Sequence, residues 1–277
     1  MDVRTELGDF LKSRRARLRP EDVGIRDYGG FRRVAGLRRE ELARLAGVSI
    51  AHYTRLEQGK GGSVSPEVLN AIGNALRLAP DELAHLHRLA HPRHRTGPGP
   101  GRPEVRPGLR HLIASFTLTP ALLTGGHTQV LAWNPLAAAL FGDFAEVPEE
   151  QRSITHLMFV IPGMCALHGE RWEQVAREHV GHLRSLAGRR PEDTGFAEHI
   201  DELRAASRVF DRMWVEHPVA QVRNRVYHLD HPRVGRLVLF GELLPLPDDP
   251  DLSGLDLFAA KLGSPSEAAL RRLAETA

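Results

Sequence analysis

Apolar residues recur at three- and four-residue intervals through the first ninety positions of this 277-residue chain. Leu7, Phe10, Leu11 and Leu18 share one face at this spacing, which predicts a first helix over residues 4–18. The same periodicity predicts two short helices within 38–60, one that follows Ser65 and Pro66, and one that starts at Pro80. Five helices in this length predict a complete all-α domain over residues 1–90.

The stretch from Arg38 to Lys60, RREELARLAGVSIAHYTRLEQGK, carries the most specific pattern. Gly47 stands where the first of its helices must end, because glycine tolerates the left-handed conformation that follows a helix C-terminus. Ser49 is an N-cap residue for the second helix, and Gly59 closes that helix. Two helices joined by such a turn predict a helix-turn-helix, whose second helix can enter the major groove of DNA.

The second half of the chain has a different pattern. Residues 91–108 hold five prolines and several glycines, which predicts an interdomain linker. Residues 109–277 then alternate between short apolar runs and helical periodicity, which predicts an α+β domain with an antiparallel sheet and helices on one side. The expected elements are a hairpin around Gly125, a helix after Asn134, helices from Trp172 to Leu183 and from Ile200 to Trp214, strands over 219–229, 236–246 and 256–262, and a last helix from Pro265.

Charge and cysteine content narrow the partners. Residues 1–110 hold 21 Lys and Arg against 13 Asp and Glu, whereas the rest of the chain is net acidic. We therefore expect one basic end to bind a polyanion such as DNA. A single cysteine, Cys165, excludes an intramolecular disulfide. With no signal-like start and no apolar run of membrane-spanning length, the sequence predicts a cytoplasmic protein.

The run EELARLAGVSIAHYTRLEQGK resembles the helix-turn-helix of phage-repressor-like (XRE-family) regulators, which implies a lambda-repressor-like N-terminal domain. Matched residue by residue, Arg15 takes the place of that family's helix-one arginine and Glu57 the place of its partner. We therefore expect a partly buried Arg15–Glu57 ion pair. The loop before Arg38 is longer than in compact phage repressors and contains Arg26, Arg32 and Arg33; it either reaches DNA or, as we favour, is a tolerated insertion.

Several segments beyond the linker are similar, in order, to the ligand-binding domain of MmyB-like regulators. They are PALLTGGHTQVLAWNPLAAALFG, VFDRMWVEHPV, HPRVGRLVL, LPLPDDPD and GSPSEAALRRL. That family joins an XRE helix-turn-helix, with this longer loop, to a PAS-like domain. The resemblance implies a PAS-like α+β fold and a fatty-acid-like or other apolar small molecule as ligand.

Candidate DNA-binding residues follow from the helix-turn-helix match. Ile50, Ala51 and Arg55 occupy the base-reading positions. Arg55 is the preferred specific contact because its planar guanidinium can pair with both acceptors of guanine; the alternative is a solvated helix arginine. The candidates for phosphate contact are Arg39, Ser49, His52 and Lys60. Because one helix-turn-helix covers a half-site, we expect a homodimer on a double-stranded operator.

Candidate ligand-binding residues are apolar and belong to the second half of the chain. They are Trp133, Phe141, Met158, Phe159, Trp172, Phe210 and Trp214. Trp133 and Trp214 are preferred because each lies in a matched family segment, although ordinary core packing explains any one of the seven. Arg223 and Arg225 share a face of a predicted strand; one can receive a carboxylate, but we favour solvent exposure.

The sequence offers little support for metal binding or catalysis. His179 and His182 are three apart, with Cys165 and His168 upstream, but the family pattern that the chain resembles offers no set of four convergent zinc ligands. We interpret Cys165 as a core residue. No nucleophile, phosphate-loop or acid–base motif is recognisable, so we expect neither cofactor nor enzyme activity. The interpretation is a DNA-binding regulator whose C-terminal domain binds a small apolar ligand or mediates dimerisation. The rivals are a C-terminal domain that only binds proteins and an enzyme with a regulatory helix-turn-helix.

Overall fold

The computed structural model describes residues 3–25, 34, 36–60, 64–91, 103–189, 193–220, 224–249 and 251–276. The chain packs as two compact units. Unit 1 comprises residues 1–96, 184–198 and 213–220, and unit 2 comprises residues 97–183, 199–212 and 221–277. Arg26, Arg32, Arg33, Arg223 and most of the predicted linker lie outside the described residues.

The N-terminal segment of unit 1 holds the five predicted helices. They are α1 (Val3–Arg17), α2 (Arg39–Leu45), α3 (Ile50–Glu57), α4 (Pro66–Ala75) and α5 (Pro80–Ala90). Ser49 and Ser65 cap α3 and α4 as predicted, each accepting a hydrogen bond from the backbone N–H three residues later. Phe10, Leu42 and Ile72 are fully buried where the five helices meet, and burial of each such side chain stabilises the fold by about 1.5–3 kcal/mol.

Helices and an antiparallel sheet form the rest of the chain, which confirms the predicted α+β class. In chain order the elements are α6 (Pro107–Ser115), β1 (Ala121–Gly125), β2 (Val130–Trp133), α7 (Pro135–Phe141), α8 (Ile154–Val160), α9 (Pro162–His168), α10 (Trp172–Ala187), α11 (Thr194–Ala206), α12 (Arg208–Val215), β3 (Asn224–His231), β4 (Gly235–Leu244), β5 (Leu252–Ala260) and α13 (Pro265–Ala274). None of the described helices combines the length and apolar character needed to cross a bilayer.

The sheet has the order β2-β1-β5-β4-β3, and each neighbouring pair is antiparallel. Asn134 joins the predicted hairpin to the helix that follows it. Its side-chain oxygen accepts from the backbone N–H groups of Ala121 and Ala137, and its amide nitrogen donates to the carbonyls of Phe116 and Thr119. This buried side chain therefore caps α7 and fixes the start of β1 at once.

The prediction of one helix from Ile200 to Trp214 was wrong in its continuity. The helix ends at Ala206, and α12 starts two residues later after Ser207. The Ser207 hydroxyl accepts a hydrogen bond of 3.2 Å from the Phe210 N–H, as an N-cap does. Because serine competes for backbone hydrogen bonds, it interrupts a helix that apolar periodicity alone would continue.

The prediction of Cys165 as a core residue was also wrong, since its side chain is exposed. Cys165 lies on α9, a helix of seven residues. Met164, Leu167 and His168 occupy the buried face of this helix, which leaves Cys165 on the opposite face. A helix this short carries too few residues for its apolar face to be read from periodicity.

A buried ion pair ties two segments of unit 1 together. Arg184 is fully buried, donates to the Glu6 carboxylate of α1 and to the Trp214 carbonyl, and stacks over the Trp214 ring with 3.8 Å from guanidinium carbon to ring centroid. His217 Nδ1 lies 3.5 Å from the same carboxylate. Burial raises the pKa of Glu6, but His217 and Arg184 outweigh it and lower the pKa to about 2.

Replacement of Arg184 with methionine leaves the Glu6 carboxylate buried without its cation. We expect Arg184→Met to lower the free energy of unfolding by about 3–5 kcal/mol, as when one partner of a buried pair is removed. The double variant Glu6→Leu/Arg184→Met should recover part of this loss, because no charge is then left unpaired. Urea unfolding of the wild type, Glu6→Leu, Arg184→Met and the double variant gives the interaction energy; additive losses would contradict a direct pair.

His85 is a buried neutral histidine in unit 1. Both of its ring nitrogens lack hydrogen-bond partners in the described structure, and burial lowers its pKa to about 3. The folded state therefore resists protonation, so the stability that depends on neutral His85 is present above about pH 6.5 and is lost as the pH falls from there towards 3.

His85→Leu should stabilise the protein by about 1–2 kcal/mol at pH 7, because a buried group without hydrogen bonds becomes apolar. It should also reduce the loss of stability between pH 7 and pH 5 by about 2 kcal/mol, since 1.36 kcal/mol corresponds to one pKa unit. Denaturant unfolding at the two pH values measures both effects. His91→Leu, at an exposed histidine, serves as control, and an unchanged pH dependence in His85→Leu would refute the assignment.

Candidate nucleic-acid interface and ligand site

Helix α3 presents one buried and one exposed face. Tyr53, Leu56 and Glu57 are buried, whereas Ile50, Ala51 and Arg55 are exposed, as the predicted base-reading positions require. The preceding turn depends on Gly47, whose φ of 65° lies in the left-handed region that favours glycine. The turn therefore positions α3 with its predicted reading face directed outwards.

The predicted Arg15–Glu57 ion pair is confirmed. The Arg15 Nε donates to Glu57 Oε1 at 2.7 Å, and the Tyr53 hydroxyl donates to the same oxygen at 3.1 Å. Arg39 donates to the second carboxylate oxygen, and Arg15 also donates to the Leu37 carbonyl at 2.5 Å. Burial raises the pKa of Glu57, but the two arginines outweigh it and lower the pKa. The carboxylate thus joins α1, α2 and α3.

The end of α3 is held against α1 by close packing. Gly59 has a φ of 68°, and a Cβ atom added there would lie 2.6 Å from the Arg4 carbonyl oxygen. Only glycine fits both the conformation and the contact. This packing and the Glu57 network together fix the direction of the recognition helix.

The remaining DNA-binding candidates lie around this face. Ser49 and Lys60 are exposed at the two ends of α3, and His52 is half-buried. Arg39 has a structural role that the sequence did not predict, through its bond to Glu57, yet its side chain is 45% exposed. Arg55 has no ion-pair or hydrogen-bond partner for its side chain among the described residues, so its guanidinium is available to a ligand.

Substitution of Glu57 by glutamine tests the Glu57 brace, the network that joins Glu57 to Arg15, Arg39 and Tyr53. Glutamine keeps the volume but removes the charge that two arginines compensate, so Glu57→Gln should lower the free energy of unfolding by about 1–3 kcal/mol. DNA affinity should fall on every sequence, because the direction of α3 changes rather than one base contact. Tyr53→Phe, which removes one hydrogen bond, is the control and should lose about 1 kcal/mol. Unchanged stability of Glu57→Gln in urea unfolding would contradict the brace.

Unit 2 contains a cavity of about 60 Å³ beside the sheet. Four of its lining residues are aliphatic or phenylalanine, and seven carry polar groups. The lining residues are Leu122, Thr124, Thr128, Ile154, His179, His182, Tyr227, Leu243, Ser253, Asp256 and Phe258. At roughly 10–15 Å³ for one water-sized sphere, the cavity holds a few such groups. It therefore suits a small head group, whereas an extended chain needs more space.

Asp256 on β5 is the acidic group of this cavity. Its Oδ2 accepts a hydrogen bond of 2.9 Å from the Thr124 hydroxyl on β1. Burial raises the pKa of Asp256 to about 7, against the lowering effect of that hydrogen bond. Burial also raises the pKa of Tyr227 to about 12 and lowers that of His179 well below its usual value. At neutral pH the tyrosine and the histidine are therefore uncharged.

The seven predicted ligand residues lie outside the lining of this cavity. Phe141 packs against the lining residue Phe258, with 4.8 Å between the two ring centroids. Phe159 packs edge-on against Trp172 and Phe210, and the Trp172 indole donates to the Met158 carbonyl at 3.1 Å.

The two preferred tryptophans are each in contact with an arginine. Trp133 packs against Phe144, and the Arg152 guanidinium lies 5.1 Å from its ring centroid. Trp214 belongs to unit 1, where it stacks on Arg184.

The sequence did not predict the cavity residues, because many of them are polar and they are distributed over several elements. Thr124, Tyr227 and Asp256 come together only through the pairing of β1, β5, β4 and β3. An acidic residue within the apolar strand Leu252–Ala260 was the one signal in the sequence. The expectation that Arg225 is solvent-exposed was wrong: its side chain is 12% exposed and pairs with Glu178.

The histidines of unit 2 do not gather into a metal site. Within the described parts of the chain, no three His, Cys, Asp or Glu side chains are placed to hold an ion. His168 and His199 are buried, and burial lowers the pKa of each to about 4.

A helix-turn-helix in one unit and a cavity beside the sheet of an α+β unit are the features of a DNA-binding transcription regulator with a ligand-binding domain. Comparison with known families agrees. Residues 6–86 match a helix-turn-helix domain, and residues 105–273 match the MmyB-like transcription regulator ligand binding domain. The second match covers more than half of the chain, which therefore belongs to the MmyB-like transcription regulators with an XRE-type helix-turn-helix. No curated protein sequence matches the chain.

Proposed function

We propose that this regulator binds a specific double-stranded operator as a homodimer in the cytoplasm, with α3 in the major groove. The observation that carries the proposal is the braced position of α3, whose buried Glu57 network leaves Arg55 exposed and without a partner in the described structure. A rigid helix with a free guanidinium can read a base edge without first breaking an ion pair. One such helix covers one half-site, which favours a dimer.

Within this proposal the candidate residues on and around α3 divide into two roles. Arg55 donates to the O6 and N7 acceptors of a guanine, and Ile50 and Ala51 contact a thymine methyl group or another apolar surface. Arg39, Ser49, His52 and Lys60 contact phosphates and set the register. Sequence discrimination then depends mainly on Arg55, because the other exposed side chains at the reading positions are apolar.

We further propose that unit 2 binds a small, largely apolar molecule, of which a fatty-acid-like chain is one form. The match to a ligand-binding domain and the cavity support this proposal. The seven aromatic and methionine residues predicted as ligand contacts remain candidates for the apolar part, and Phe141 packs against the lining residue Phe258. A cavity lined by polar groups argues against a C-terminal domain that serves only as a protein-interaction module.

Control of DNA binding by the ligand requires unequal affinity for DNA-competent and DNA-incompetent arrangements. Helix α10 carries both His179, which lines the cavity, and Arg184, which pairs with Glu6 of α1. We propose that α10 carries the ligand response, because a change in its position affects residues of both units. Mass spectrometry of molecules that co-purify with the full-length protein tests for the ligand; repeated absence under mild extraction would favour the interaction module.

Arg55→Ala should lower operator affinity by about 1–3 kcal/mol and relax discrimination at one base pair, because one bidentate base contact is lost. The operator is first selected from a pool of random-sequence DNA with the full-length protein. Binding is then measured on the operator, on variants of each base pair and on unrelated DNA.

Lys60→Ala is the matched control for Arg55→Ala. It should weaken binding to all sequences alike and lower the salt dependence by about one counterion, as loss of a phosphate contact does. Equal loss of affinity by Arg55→Ala on operator and unrelated DNA would instead make Arg55 a phosphate contact and remove the proposed base reader.

A further inference from the structure

Three side chains at the cavity of unit 2 present hydrogen-bond acceptors to it. The Thr124 hydroxyl already donates its proton to Asp256, and the Ser253 hydroxyl donates to the Gly125 carbonyl at 2.7 Å. Each hydroxyl oxygen therefore keeps only acceptor capacity towards the cavity. Asp256 has no other hydrogen-bond donor among the described residues, so its second oxygen is also free to accept.

Two further polar side chains at the cavity lack partners. His179 is 8% exposed and forms no hydrogen bond with the described residues, although both its ring nitrogens require one. The Tyr227 hydroxyl likewise has no hydrogen bond there, while its ring packs at 5.2 Å against that of Phe258. Both side chains line the cavity, where a bound molecule can pair with them.

No lysine or arginine is among the eleven lining residues. Arg225 lies close by, with its guanidinium carbon 5.4 Å from the Tyr227 ring centroid, but it forms an ion pair with Glu178. The positive charge of Arg225 is therefore largely compensated, whereas Asp256 faces no cation. A carboxylate placed in the cavity would meet the Asp256 carboxyl and several acceptor oxygens, which is unfavourable.

We propose that the cavity of unit 2 receives the primary ammonium head group of a small amine, with Asp256 as its counter-ion. This inference rests on the proposed ligand binding and names the chemistry of the ligand's polar end. An ammonium group has three donors and no acceptor, which matches Asp256, Thr124 and Ser253. The rings of Tyr227 and Phe258 favour a cation at their faces, and His179 offers a neutral ring nitrogen as a further acceptor.

The binding test compares probes that share one alkyl chain. Full-length protein is titrated with n-butylamine, butyrate and 1-butanol at pH 7, and binding is measured by calorimetry and by the shift of the melting temperature. Butylamine should bind at least tenfold more tightly than the other two, because it alone supplies both charge and three donors. Asp256→Asn should weaken butylamine at least tenfold, and Tyr227→Phe should do so by a few-fold.

Asp251→Asn is the matched control, because it removes the same charge from an exposed turn just before β5 and should leave butylamine binding unchanged. Circular dichroism verifies that Asp256→Asn remains folded. Tighter binding of butyrate, with loss in Arg225→Met, would overturn the amine proposal and assign a carboxylate ligand while ligand binding itself stands. Equal butylamine binding by Asp256→Asn, or no binding of any probe, would also overturn it; the search for co-purifying molecules then decides separately whether unit 2 binds a ligand.

Discussion

A carboxylate withdrawn from water must either gain a compensating cation or take up a proton. Among the buried carboxyl groups of this chain, Glu57 and Glu6 follow the first course and Asp256 follows the second. Glu57 gains Arg15 and Arg39, and Glu6 gains Arg184, so the pKa of each is lowered. Their stabilisation is present above the unfolded-state pKa and is lost as the pH falls. Asp256 has only the Thr124 hydroxyl, and its pKa is raised to about 7. Its effect has the opposite sign, since the folded state is favoured at low pH and loses stability as the pH rises through 7.

The two paired carboxylates both act on α1, and through it on the DNA-reading surface. Glu57 joins α3 to α1 by way of Arg15, and Glu6 anchors α1 to the segment of unit 1 that holds Arg184. Charged networks are weak sources of net stability, because desolvation offsets most of the attraction. These networks instead fix the orientation of the helices that they join, because hydrogen bonds are directional and apolar packing is not. A recognition helix needs that precision, because a base contact is lost when the side chain is displaced by about 1 Å.

Local signals in the sequence predicted most of the secondary structure and the exposed face of α3. Gly47, Ser49 and Gly59 mark the two ends of α3. Once these ends are known, the spacing of its apolar residues determines which face is exposed. The Arg15–Glu57 pair was reached by family resemblance. By contrast, Glu6 and Arg184 are 178 positions apart, and neither residue carries a local sign of its partner. The cavity was missed for the same reason, since Thr124 and Asp256 meet only through strand pairing. The ligand site was instead predicted from large apolar residues, and several of these pack against one another.

The contrast between Asp256 and the two paired glutamates favours function over packing at the cavity. A leucine or asparagine at this position of β5 would avoid the desolvation of a carboxyl group, and nothing in the described fold depends on its charge. The position instead places an acidic group beside unpartnered His179 and Tyr227, where a ligand can supply what the protein does not. An unfavourably desolvated group of this kind is retained where ligand binding compensates its cost. His179, which lines the cavity, and Arg184, which pairs with Glu6 of α1, belong to the same helix.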